Sequence, residues 1–278
     1  MPRSRLALPL LVLCLALPTG ADAQELRLGV LPRLSAAELQ TMYGPLAAHL
    51  SQRLGKKVTV VVPKDFAAFE DALRKGEYEL AFANPFVYVK AKKDLDLTPL
   101  ALAAEKKGGE RFRGIFIARK DSGIQTLADL KGKPVIFVDE DSLAGYLAQA
   151  LALKKAGIDP ITGIVRLPFG KKHDNVAMAV FNRAAAAGGI REDDLEKMQG
   201  KVDLAQLTVL ARTEDFPNWP LFATHKLDAA LRDQVKAALV ALAEGSPALE
   251  SAKLKRFAPV TDKDYDVVRD AARSVGKF

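Results

Sequence analysis

Several loops of the chain hold residue types that can grip a small solute, and each lies where a β-like run gives way to a helix-like one. These loops are Pro32 to Ser35, Pro63 to Phe66, Ala83 to Tyr88, Glu110 to Gly114, Asp139 to Tyr146 and Phe169 to Asp174. The start of a helix offers unpaired N–H groups and partial positive charge, so the chemistry on offer is anion or polar-group binding. In the Asp139 to Tyr146 loop, Ser142 can cap a helix and Gly145 lets backbone approach a ligand, but the same residues make an ordinary capped helix start. In Phe169-Gly170-Lys171-Lys172-His173-Asp174, a histidine at a helix start can donate to an anion with lysines nearby, and it can equally be structural. Asn84 can orient a ligand or cap the helix behind it. Phe66, Tyr88 and Phe112 can line a cleft or belong to the core, and Asp121-Ser122-Gly123 reads as a turn.

Bond chemistry is not expected. The sequence has no Gly-x-Ser-x-Gly, His-Glu-x-x-His or phosphate-loop pattern. The three histidines are too dispersed for a metal site by spacing, with His49 in mid-helix, His225 before a late helix and only His173 in a strand-end loop. No cofactor is implied. The single cysteine, Cys14, lies in an apolar run near the start, which excludes thiolate nucleophiles, zinc-thiolate sites and thiolate capture of arsenite from the rest of the chain. The net charge of +7 stays positive once Arg3, Arg5 and Asp22 are discounted, which suits an anionic ligand or acidic partner. Nucleic acid does not fit, because the basic residues are interleaved with acidic ones and form no stripe with base-stacking aromatics.

The elements that must position these loops alternate strand and helix. Leu26 to Leu31 reads as a strand, and Ser35-Ala36-Ala37-Glu38 as a capping box opening a helix that Gly55 ends. Val58 to Val62 and Tyr78 to Ala83 read as strands around a helix from Asp65 to Lys75. A second series has strands at Gly114 to Ala118, Pro134 to Val138 and Ile164 to Leu167. Between them come a short helix at Leu127 to Leu130 and longer ones at Ser142 to Ala156 and Asp174 to Ala185; another begins near Arg191, and Leu204 to Leu210 closes the set. The C-terminal part reads as helical, with Asp228 to Ala243, Pro247 to Lys253 and Thr261 to Val275. Helices of this length between strands require crossovers, so two α/β lobes with largely parallel sheets are expected. The expected division is 24–115 with 213–278 as one lobe and 116–212 as the other, joined by a two-crossing hinge. Residues 1–23, with Arg3 and Arg5, the apolar run Leu6 to Leu17 and Ala21-Asp22-Ala23, read as a secretory signal peptide, which places the mature chain in the periplasm.

Leu28-Gly29-Val30-Leu31-Pro32, Leu80-Ala81-Phe82-Ala83-Asn84-Pro85, Arg119 to Ile124, Leu127 to Lys133, Ser142 with Gly145-Tyr146, and His173-Asp174 closely resemble the phosphate/phosphite/phosphonate-type substrate-binding proteins of ABC transporters, the PhnD-like group. The likeness runs on through Pro259 to Asp262, Tyr265 and Val268-Arg269. It implies an α/β type 2 periplasmic-binding-protein fold that closes on a small solute, acts as a monomer and delivers its cargo to a membrane permease. The implied cleft comprises Phe66, Asn84, Tyr88, Phe112, Ser142, Leu143, Ala144, His173 and Asp174. Against the family pattern, two hydroxyl residues of the Ser142 to Ala144 loop are Leu143 and Ala144, tyrosines are replaced by Phe66 and Phe112, and the acidic position after the His-Asp helix falls in Ala184 to Ala187. Each lost hydrogen bond costs about 1–3 kcal/mol, so two or three losses remove roughly two to four decades of affinity. A weak phosphate and phosphonate binder is therefore expected, taking a less hydrogen-bonded solute. The rival readings are a periplasmic sensor subunit that presents its ligand to a histidine kinase or other receptor and, more weakly, an exported enzyme.

Overall fold

The computed structural model describes residues 25–278; the proposed signal peptide lies outside them. The first sheet has the order β13-β4-β12-β3-β1-β2. Its leading strands, β1 (Leu26–Val30), β2 (Val58–Val61) and β3 (Leu80–Phe82), are parallel and alternate with α1 (Ala36–Leu54), α2 (Phe66–Arg74) and α3 (Pro85–Lys92). The expected capping box opens α1, with the Glu38 N–H donating to Ser35 Oγ and the Ser35 N–H to Glu38 Oε2. Gly55 closes it in the left-handed region at φ 63°. Asp65 and Asn84 cap α2 and α3, each through a side-chain oxygen that accepts a backbone N–H of the first turn.

The long strand β4 (Leu97–Glu105) completes the outward run. The chain then crosses through β5 (Arg111–Phe112) into the second sheet, ordered β10-β6-β9-β7-β8. This sheet comprises β6 (Gly114–Arg119), β7 (Pro134–Ile136), β8 (Val165–Arg166), β9 (Ala187–Arg191) and β10 (Leu207–Arg212), with α4 (Ala148–Lys155), α5 (His173–Phe181) and the short α6 (Glu192–Glu196). The chain returns through β11 (Phe216–Pro217), which pairs antiparallel with β5 in a two-stranded ribbon. It then re-enters the first sheet as β12 (Pro220–Thr224) and, after α7 (Ala229–Val240) and α8 (Pro247–Ala252), as β13 (Leu254–Ala258), before α9 (Asp266–Ser274).

Three expectations need correction. The sheets are mixed: β12 is antiparallel to both β3 and β4, β13 to β4, and β6 to both β9 and β10. The reason is the return crossing, which feeds β12 into the first sheet against the direction of the leading strands. The C-terminal part is accordingly not purely helical. The helix expected from Ser142 also begins differently, as a π-helical turn over Leu143–Leu147 before α4, and the Ser142 hydroxyl caps nothing. Gly145 serves the loop's own packing, because a Cβ there would come within 2.5 Å of Val138 Cγ2 and 2.7 Å of Ser142 Oγ.

The largest apolar core runs through the first sheet and continues across to Leu143, Ala144 and Leu147 of that π turn, which packs on α3. Two smaller clusters lie on the two faces of the second sheet.

Candidate functional site

Between the lobes, the strand tips of both sheets meet in a buried polar cluster. From the first lobe, Arg33 follows β1 in a tight turn held by its N–H to the Leu31 carbonyl, and its side chain is only 6% exposed. The guanidinium lies over Trp219, 5.5 Å from the ring centroid, at the edge of an aromatic wall that continues through Phe82 to Tyr43. Asn218 fixes the backbone here: its Oδ1 accepts the main-chain N–H of Trp219 at 2.9 Å, and its carbonyl accepts the Tyr265 hydroxyl.

From the second lobe come His173 at the head of α5, Arg191 at the end of β9 and Asp194 in α6, all buried. The Arg191 N–H donates to His173 Nδ1 at 3.0 Å, so the proton of the neutral ring sits on Nε2. Two ion pairs join the lobes here. Arg191 Nη2 meets Glu105 Oε2 at 2.5 Å, with the guanidinium stacked over Phe112 at 4.4 Å, while Arg33 Nη1 stands 3.6 Å from Asp194 Oδ1. Burial would raise the Asp194 carboxyl, but the facing His173, Lys197, Arg33 and Arg191 outweigh it and hold it below the usual carboxylate range. Burial also dominates at His173; Asp194 opposes it, Arg33 and Arg191 reinforce it, and the imidazole is pushed down to about 4.

That depression carries a pH dependence. Between pH 6.5 and about 4 the unfolded chain takes up a proton at this position that the native chain refuses, so stability falls as pH falls through that window. By pH 5 the loss is about 2 kcal/mol, and it is absent above pH 7. Nuclear magnetic resonance should show the His173 ring titrating near pH 4, and a His173→Gln variant should lose less melting temperature than the wild type between pH 7 and 5. A ring midpoint of 6 or above would contradict this.

The sequence-expected residues are placed as follows. Ser142 and His173 are buried at the lobe junction; Leu143 and Ala144 are buried in apolar packing. Asn84, besides capping α3, donates from Nδ2 to the Asp141 carbonyl across the junction at 3.1 Å. Beside it Lys90 bridges Asp141 and Glu70 at 2.8 and 2.9 Å. Phe112 lies under Arg191, and Phe66 is in the core of the first lobe. Tyr88 is turned into that core against Phe222 and Tyr265, its hydroxyl donating to Asp262 Oδ1 at 2.7 Å. Asp174 accepts from Lys201 at the rim. The structure thus gathers Phe112 and His173 around one cluster, sets Asn84 beside the Ser142 loop, and leaves Phe66, Tyr88 and Asp174 away from both.

Sequence reasoning passed over Arg33, Trp219, Glu105, Arg191 and Asp194. Arg33 lay in a strand-tip loop already singled out, and a lone arginine behind a strand and a proline was the available signal. A cavity of about 400 Å³ opens from this cluster, lined by Arg33, Glu105, Asp193, Lys197 and Lys253 among others. A second of about 600 Å³ lies beside it, lined by Met42, Asp174, Lys197 and Lys201. Among the described residues, no group of His, Cys, Asp and Glu is arranged to hold a metal ion, and no helix is long and apolar enough to cross a membrane.

Comparison with known proteins agrees with this architecture. The chain is 27% identical over 277 residues to the phosphate-import protein PhnD of Mycolicibacterium smegmatis, spanning 91% of this chain and 86% of that one. It is 28% identical over 236 residues to the tetrathionate sensor histidine kinase TtrS of Salmonella typhimurium, covering 79% of this chain but 40% of the kinase. The fold superimposes on PhnD1 of Prochlorococcus marinus, solved with methylphosphonate, with a TM-score of 0.83 at 19% identity, over 92% of this chain and all of that one. It is the two-lobed type 2 periplasmic-binding fold. The family model for the phosphonate periplasmic substrate-binding protein of ABC transporters matches residues 28–265, and the chain belongs to that family.

Proposed function

We propose that this protein captures a small oxyanion-bearing solute between its lobes, assigned as 24–115 with 213–278 and 116–212, and presents it to an ABC permease after loss of residues 1–23. The observation that carries this reading is the convergence of both sheets' strand tips on Arg33, His173, Arg191 and Asp194, with a cavity opening from the cluster. In such α/β folds the crevice beyond the carboxyl ends of strands is where ligands gather. The mechanism is binding and lobe closure about the β5–β11 ribbon, with no bond made or broken. Leu143 and Ala144 put hydrocarbon where the family pattern has hydroxyls. The preferred solute therefore relies on fewer hydrogen bonds, and free phosphate and methylphosphonate bind more weakly than in relatives that keep those hydroxyls.

A thermal-shift screen of phosphorus, sulfur, arsenic and carboxylate anions tests this. A ligand at about 100 times its Kd stabilises the native state by about 2.7 kcal/mol. The expected result is a clear rise in melting temperature with at least one oxyanion; the reading fails if only sugars or uncharged amino acids raise it. Micromolar or tighter binding of phosphate or methylphosphonate by calorimetry would remove the weak-binding part alone.

The likeness to a tetrathionate sensor kinase supports a second reading, in which the closed form is presented to a receptor. A neighbouring kinase gene and anion-dependent autophosphorylation would favour it; permease and ATPase genes favour transport.

A further inference from the structure

We propose that Arg33 and the indole N–H of Trp219 form the anion-holding element of this cleft, taking the oxygens of a small oxyanion where the Ser142 to Ala144 loop lacks hydroxyls. The inference rests on the solute-binding reading above and assigns the residues that carry its specificity. Arg33 is 6% exposed, yet its Nη1 has no hydrogen-bond partner among the described residues. Trp219 is equally buried, and its Nε1 is also without one. An unpaired buried donor costs about 1–3 kcal/mol, more when charged, so two on neighbouring side chains mark a place built for an acceptor.

Their surroundings point the same way. Asp194 Oδ1 at 3.6 Å is too far to accept a hydrogen bond from Arg33 and is contacted by Lys197, while its buried Oδ2 also lacks a hydrogen-bond partner among the described residues. Glu105 is engaged by Arg191. The guanidinium lies over the indole ring with its Cζ 5.5 Å from the centroid, which keeps the two donor-bearing side chains together, and a guanidinium suits recognition of paired oxygens. Arg33 also lines the cavity of about 400 Å³ between the lobes. On another wall of it stands Lys253, held in the left-handed region at φ 59° and without an ion-pair partner among the described residues.

Trp219 is the only tryptophan in the chain, so its emission reports on the site directly. The test titrates the full mature protein with methylphosphonate, inorganic phosphate, methanesulfonate and tetrathionate, following emission and heat together. An anion that binds by calorimetry should shift or quench the emission at the same midpoint. Arg33→Gln should weaken that anion by about 30-fold or more, Arg33→Lys by less, and Trp219→Phe, which keeps an aromatic face but loses the indole N–H, by about tenfold in calorimetry. Binding that leaves the emission unchanged, or that survives Arg33→Gln within threefold, overturns the assignment while leaving the solute-binding reading intact. A wild type that binds none of the four anions, and no other oxyanion in the thermal screen, overturns both.

Discussion

Replacing Asp194 by alanine should cost this protein about 3–5 kcal/mol, because it strips the counter-charge from a buried guanidinium. Arg33 is buried against Trp219, Lys197 contacts the same carboxylate, and His173 Nδ1 stands 3.6 Å from its second oxygen. At about 2–4 °C per kcal/mol for a chain of this size, the melting temperature should fall by roughly 6–20 °C. Scanning calorimetry checks it, and a drop below about 2 °C would show that the cluster is not electrostatically coupled. The sharper test is the pair Arg33→Met with Asp194→Leu. Exchanging a buried ion pair for apolar groups of similar volume is often neutral or favourable, so the double variant should recover most of the lost stability. It should nevertheless remain unable to bind an oxyanion, separating stability from recognition.

Gln149→Leu should be nearly as damaging, at about 2–5 kcal/mol. Gln149 is wholly buried, and its Nε2 donates toward the carbonyls of Ala144, Ile190 and Ile115 at 2.8, 3.1 and 3.2 Å. One amide thereby ties the π turn at Leu143–Leu147 to both β6 and β9. Leucine fills the volume and leaves the Ala144 carbonyl facing hydrocarbon. The melting temperature should drop by roughly 5–15 °C, and amide exchange over 143–147 should accelerate more than over α1. Unchanged exchange in that turn would mean that the glutamine is a passive filler.

The helix starts were the most legible part of the chain, since capping is local chemistry. Ser35 with Glu38, Asp65 and Asn84 each announce a helix within four residues, and each is found accepting a backbone N–H of the first turn, as does Asp228 at the start of α7. Two of the strands that escaped notice are largely buried ones. Pro220–Thr224 is buried at every position and most of Leu97–Glu105 is too, so neither shows the alternation that marks a half-exposed strand. β9 hid for another reason: Ala-Gly-Gly-Ile-Arg is poor in strand formers. Its glycines answer to crowding, since a Cβ on Gly189 would lie 2.7 Å from Phe137.

For the site, individual loops were readable but their meeting was not. Arg33 and Asp194 stand 161 positions apart in the numbering, and Asp194 sits in Glu192-Asp193-Asp194, which looks like any solvated acidic helix start. Only the folding of the second lobe turns that carboxylate inward to face His173, and only the meeting of both lobes brings it to Arg33. Tyr88 shows the opposite error: its place after a strand suggested a ligand contact, whereas Asp262 and the aromatic rings of the C-terminal half claim it.

The apolar seam between the π turn and α3 has a bearing on traffic. Burying Leu143 and Ala144 against the opposite half is worth about 2–4 kcal/mol, and every excursion that parts the two halves must return that to water. The same toll falls on every opening, whether the cleft is empty or filled.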